Sequence, residues 1–219
     1  MTIPVYHGSD IIITKPSLEY GRANTDFGKG FYVTSDYEMA EKWACRKQIA
    51  IVNAYELDLS ELADLELTTD KTWLDFVICN RRQAKPNIDV AGYDIITGAT
   101  ADDRMFATIE LYEDGFISDD MAIAALNYMN IGIQRCLKTK KALEKIRYIG
   151  ISSPFNQRKA EISYNNEQDR KKMSEAVKKL TADAKHKAEQ QRKMAQLNDI
   201  VNRAQQFTVD RSPDDTLSL

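Results

Sequence analysis

The chain is expected to be an α+β protein, and three features of its 219 residues point there. Alternating and β-branched runs, punctuated by Gly and turn residues, recur through roughly the first 150 positions. Helical periodicities interrupt them irregularly, not in strict βαβ order. After Pro154 the composition changes to Lys, Ala, Glu, Gln and Arg with no Gly at all, which favours helix. Interleaving of this kind builds a largely antiparallel or split sheet with flanking helices, followed here by a long C-terminal helix.

Taken in order, Ile3–His7 and Gly30–Thr34 read as short strands, Tyr37–Gln48 as a helix and Ile49–Leu57 as a strand. Lys71–Arg82 is helical, with Trp73, Phe76, Val77 and Asn80 on one face, and Tyr93–Gly98 is a buried strand ending in a turn. Ser118–Met129 is a helix with Ser118 as N-cap and Asp119 and Asp120 in its first turn. A strand at Ile133–Thr139, a helical turn at Lys140–Lys145 and a strand at Arg147–Ile151 complete a globular domain of residues 1–151. A linker is expected over 152–167, a charged helix over 168–206 and a frayed polar tail over 207–219. Along that helix Met173, Val177, Leu180, Ala184, Met194 and Val201 fall at helical spacing, but Lys187 and Gln191 interrupt the stripe, so it is thin for a coiled coil. A solvated helix, a dock for a partner protein and a basic face for nucleic acid all fit it.

Composition limits the function classes. There are 17 Lys and Arg against 23 Asp and Glu up to Phe155, and 13 against 10 beyond it, so the globular half is acidic and gives no general case for nucleic-acid binding. Cys45, Cys79 and Cys136 are odd in number, widely spaced and without CxxC or CxxH partners; they suggest neither a disulfide framework nor a metal site. With no leader-like amino terminus and no apolar run of bilayer length, a cytoplasmic protein without membrane contact is expected.

The chemistry-bearing residues lie near the start. Tyr6-His7-Gly8-Ser9 ends the first strand; Asp26-Phe27-Gly28-Lys29-Gly30-Phe31-Tyr32-Val33-Thr34 follows, then Ala40-Glu41-Lys42-Trp43-Ala44. In order, residue type and spacing, including the eleven-residue step from Tyr32 to Trp43, these pieces resemble the poly(ADP-ribose) polymerase branch of the ADP-ribosyltransferases. The first 45 residues match well and about two-thirds of the chain loosely. The chain is also similar to a little-characterised bacterial family of such domains, some encoded in toxin–antitoxin-like settings.

The resemblance implies an ADP-ribosyltransferase-like split sheet and NAD+ as substrate. It implies that His7 bonds the adenosine ribose, that Gly8 offers its backbone N–H and C=O to the carboxamide, and that Tyr32 and Trp43 sandwich the pyridinium. Ser9 and Phe27 belong to the same motifs, and Trp43 replaces the usual Tyr. Independently, nicotinamide is a flat cation, so gripping both ring faces calls for two aromatics and a backbone clamp. Gly8 has no side chain to obstruct that approach, Gly28 and Gly30 free the entry into the Tyr32 strand, and Arg22, ahead of Lys29, is the candidate for the pyrophosphate.

Where the family supplies a Glu at the start of a late strand, this chain has Gln134, which can bond ribose hydroxyls but cannot act as a base. The family's helix Ser is Ala40. Transfer of a single ADP-ribose unit is therefore expected, with His7, Tyr32 and Gln134 as the catalytic set, on a protein or nucleic-acid acceptor. Asp102 and Asp103, beside Arg104, read either as a solvated acidic turn or as a substitute carboxylate; Asn80 and Arg81 read as cap and surface or as a reach to phosphate. A second function class stays open: a non-catalytic NAD+ or ADP-ribose binding module whose C-terminal helix contacts an antitoxin or other partner. Hydrolysis of NAD+ to free ADP-ribose is a third.

Overall fold

The computed structural model describes residues 1–86, 88–101, 106–127, 132–154 and 156–209. Among them are seven strands and six helices, in an α+β arrangement. β1 (Thr2–Ser9), β3 (Ile51–Asp58) and β7 (Ile146–Ser152) form an antiparallel sheet in the order β1-β3-β7. β2 (Phe31–Val33), β6 (Ile133–Leu137), β5 (Ile95–Ala99) and β4 (Asp64–Leu67) form a second, in the order β2-β6-β5-β4. All its pairings are antiparallel except β4 with β5, which run parallel. The sheets meet at a bridge, where Tyr6 N–H donates to the Thr34 carbonyl at 2.8 Å and Thr34 N–H returns to Tyr6 at 3.0 Å.

That bridge fixes which way β1 points. Backbone groups alternate between the two edges of a strand, so Tyr6 faces β2 whereas His7, paired with Asn53, faces β3. Pro4 shares the parity of Tyr6, so the ladder with β3 loses no N–H to it. Gly8 also shares it and turns its N–H and C=O to the same edge, where the bridge register sets it opposite Tyr32 with no backbone bond between the two.

Four helix starts are capped as their sequences require. Asp36 caps α1 (Tyr37–Ala44), Asp70 caps α2 (Lys71–Arg81), Ser118 caps α4 (Asp119–Leu126) and Thr139 caps α5 (Lys140–Glu144), each side-chain oxygen accepting from a first-turn N–H. α1 ends sooner than the Tyr37–Gln48 pattern suggests, with Cys45 as C-cap. Two elements have no counterpart in the sequence reading: β4 and α3 (Phe106–Glu113).

The core has three parts. Phe27, Trp73, Phe76, Ile96, Ile109 and Leu126 lead the largest; Val5, Phe31, Tyr55, Leu57 and Leu137 fill the space between the sheets; Ala40, Ala44, Val52 and Ile162 join α1 to its neighbours. The last of these belongs to α6 (Asn156–Val209), which corrects the expected linker over 152–167: the helix starts at Asn156. The reason is contact. Arg158 pairs with the buried Glu41 at 3.0 Å, Ser163 Oγ donates to the Cys45 carbonyl at 3.2 Å and Asn166 Nδ2 to that of Lys42 at 3.1 Å, all closing the last turn of α1. Farther along, Met173 and Ala184 are buried against the main core, with Val177 and Leu180 beside them. Every described residue from Glu189 to Gln205 is exposed. No helix among the described residues is long and apolar enough to cross a membrane.

Candidate active site

The His7 ring is half-buried and stacks on Phe31 with centroids 4.8 Å apart. Its Nδ1 lies 2.7 Å from the Tyr32 carbonyl oxygen. A carbonyl only accepts, so Nδ1 carries the proton and Nε2 of the neutral ring is left as an acceptor. Burial lowers the His7 pKa, with the Tyr32 carbonyl opposing, so the neutral form dominates at pH 7.

Tyr32 is anchored at its tip. Its hydroxyl donates to the Gly28 carbonyl at 2.7 Å, accepts from Phe27 N–H at 3.0 Å and lies 2.8 Å from Thr25 Oγ1. These bonds close the turn in which Gly28 adopts φ 72°, a conformation suited to glycine. Burial, then Cys136, pushes the phenol well above its ordinary range, so it stays neutral. Phe27 is fully buried beneath the Tyr32 ring and packs on Phe76, so it supports the site from below and has no surface to offer a ligand. Gly30 is likewise packed away, against Cys136 and Leu137.

Gly8 sits directly under α1: a Cβ there would lie 2.1 Å from the Ala40 carbonyl oxygen and 2.7 Å from Ala44 N. This contact holds the helix bearing Trp43 against the edge that presents the Gly8 backbone. Trp43 is half-buried, with the Arg46 guanidinium 3.8 Å from its ring centroid. Ser9 has a structural assignment: its buried hydroxyl donates to the Ile11 carbonyl at 2.6 Å and accepts from Asn53 Nδ2 at 2.9 Å. Arg22 and Lys29 are exposed, and neither is paired with a carboxylate among the described residues.

Gln134 is buried on β6, on the same face as Cys136, which pairs with Tyr32; Gln134 and Tyr32 are thus diagonal neighbours. Its Nε2 donates to Asp26 Oδ2 at 2.6 Å. Asp26 is itself buried; Arg81 Nε and Nη2 reach its Oδ1 at 2.7 and 2.6 Å, and Ala101 N–H reaches Oδ2 at 2.9 Å. Burial pushes the Asp26 carboxyl above its ordinary range, with Arg81 foremost among the groups that pull it back, and four donors meet its two oxygens. Arg81, read from the sequence as surface or phosphate contact, is instead a buried structural partner, also donating to the Ala101 carbonyl at 2.9 Å. Asn80 bonds back to the Phe76 carbonyl at 2.8 Å. Sequence reasoning missed Asp26 as a site residue, although it heads the Phe27–Gly30 motif. Asp102, Asp103 and Arg104 lie outside the described residues.

A family profile described as "Protein of unknown function (DUF3990)" matches residues 3–148. The chain belongs to this family. The match runs from β1 into β7, so every site residue above lies in the DUF3990 region and α6 lies beyond it. No curated protein and no solved structure matches the chain significantly.

Proposed function

We propose that this DUF3990 protein is a mono-ADP-ribosyltransferase using NAD+ as substrate. The observation that carries the reading is the His7 imidazole, fixed through Nδ1 on the Tyr32 carbonyl with Nε2 left as an acceptor, one residue before Gly8, whose backbone faces the β2 edge without bonding to it. Nε2 accepts from a ribose hydroxyl, Gly8 N–H and C=O clamp the carboxamide, and the Tyr32 and Trp43 rings flank the pyridinium. Arg22 meets the pyrophosphate. Ala40 offers no hydroxyl to the carboxamide, so the backbone clamp carries that contact.

In the reaction the ribose C1–N bond breaks, its electron pair leaving on the nicotinamide nitrogen, and the sugar passes through an oxocarbenium-like state. The acceptor's lone pair forms the new bond to C1 and its proton passes to solvent. Gln134 steadies the ribose hydroxyls through its amide oxygen; having no charge to act as a base, it suits transfer of one unit and not chain growth. The acceptor is a protein or nucleic acid met in the cytoplasm, and α6 is the surface for an antitoxin-like partner.

The neutral Gln134, its amide nitrogen held by Asp26, favours a second reading, a module that binds NAD+ or ADP-ribose without turnover. Release of nicotinamide decides between them. The transferase reading expects purified protein to release nicotinamide from labelled NAD+ and to lose at least about 10²-fold in rate as Trp43→Ala or His7→Ala. Binding without release under every acceptor mixture leaves only the module. Label that survives protease but not nuclease, or the reverse, identifies the acceptor; free ADP-ribose alone identifies a hydrolase.

A further inference from the structure

We propose that Asp26 is a positioning residue that fixes the polarity of the Gln134 amide, making its oxygen the group turned to the nicotinamide ribose; this rests on the transferase reading above. A glutamine amide in water turns over freely, because its O and NH2 ends are alike in shape and each finds a partner. At Gln134 the two ends are not equivalent. The carboxylate of Asp26 only accepts, and it lies 2.6 Å from Nε2. Turning the amide over would set Oε1 against a buried anion that Arg81 and the Ala101 N–H already hold in place, so two acceptors would face each other out of water. The amide is planar, so Oε1 points away from Asp26, and among the described residues it has no partner. The arrangement keeps an oxygen where the resembled enzymes have a carboxylate oxygen, while the negative charge sits one hydrogen bond behind it and is matched by Arg81.

Asp26→Asn inverts this logic. The charged Arg81 claims the Asn oxygen, the Asn NH2 takes the place of Oδ2 and gives up the Ala101 N–H to face Gln134, and the Gln amide flips to accept from it, presenting N–H groups in place of Oε1. Asp26→Asn/Gln134→Glu restores an oxygen, since one Glu oxygen accepts from the Asn NH2 and the other is free.

The experiment uses the full chain labelled with 15N-glutamine. In the unaltered protein the Gln134 side-chain amide should exchange far more slowly than those of the exposed Gln191 and Gln196. Asp26→Asn should remove that protection and lower kcat for nicotinamide release by about 10²-fold, with KM for NAD+ shifting much less, and the double variant should recover a substantial part of the rate. Fast exchange at Gln134 in the unaltered protein overturns the proposal even if Asp26→Asn does not fold, and so does a folded Asp26→Asn variant with unchanged kcat. An unaltered chain that releases no nicotinamide despite a protected amide is a separate result: it removes the transferase reading, and with it the ribose as the partner of Oε1.

Discussion

Gly8→Ala is the sharpest test of how the site is assembled. The added Cβ would stand 2.1 Å from the Ala40 carbonyl oxygen, against 3.4 Å for the start of ordinary contact, so α1 must retreat by about 1.3 Å. Neither side yields easily: the clash is with helix backbone, and α1 is held by Glu41–Arg158 and by Ala40, Ala44 and Ile162 in a shared core. Overpacking of this kind costs about 1–3 kcal/mol, and backbone on both sides puts it near the top of that range. Gly8 does not have a positive φ, so alanine's stiffening of the unfolded chain returns about 0.4–1 kcal/mol. The net loss of about 2 kcal/mol corresponds to a fall in Tm of roughly 4–8 °C for a chain of this size. Thermal unfolding followed by circular dichroism measures it, and calorimetric titration should show weakened NAD+ binding. Adding Ala40→Gly should bring no rescue, because the obstacle is the carbonyl and not the methyl. A Gly8→Ala protein within a degree of wild type, with NAD+ affinity intact, would refute the reasoning.

Three further outcomes are expected. Arg81→Leu strips a buried carboxylate of its ion-pair partner and should cost about 3–5 kcal/mol, read as a large drop in Tm; a loss below about 1 kcal/mol would mean the pair is not buried as described. His7 has a pKa lowered by burial, so its neutral ring contributes stability above the ordinary value of 6.5 that is lost as pH falls through the lowered value. NAD+ affinity should weaken over the same acid range, because protonation removes the Nε2 acceptor, and an affinity that stays flat through the pH at which NMR shows the His7 ring taking up its proton would exclude that role. Arg158→Ala should speed amide hydrogen exchange through α1 while leaving the distant β4–β5 pair unaffected; equal exchange in α1 would show that α6 does not brace it.

Much of the fold was legible because local signals and tertiary outcome agree. Asp36, Asp70, Ser118 and Thr139 stand where a helix must begin, and the alternation of Val5, Tyr55 and Leu57 marks strands with one face buried. β4 was not legible: Asp64–Leu67 is four residues long and becomes a strand by pairing in parallel with β5. α3 carries apolar residues all round, so it has no amphipathic face to detect. The start of α6 contains Ser163, Asn165 and Asn166, poor helix formers in isolation; docking of Arg158, Ile162, Ser163 and Asn166 on α1 overrides their preference. At the site, motif spacing pointed to His7, Gly8, Tyr32 and Trp43, but not to the linkage of Asp26 with Arg81 and Gln134. Those contacts span 55 and 108 positions, and no local pattern encodes them.

One consequence follows from the unbroken run of α6. Glycine and proline are absent from its 54 residues, so nothing in its composition invites a joint between the turns fastened to α1 and the bare outer stretch. At 1.5 Å per residue, positions 189–205 hold out a rod of about 25 Å. Cargo gripped midway along it, by Met194, Leu197, Ile200 and Val201, would be kept at a set standoff from the body, as a ruler would keep it. Torque applied out there would be delivered first to the main core, through Met173, Val177, Leu180 and Ala184.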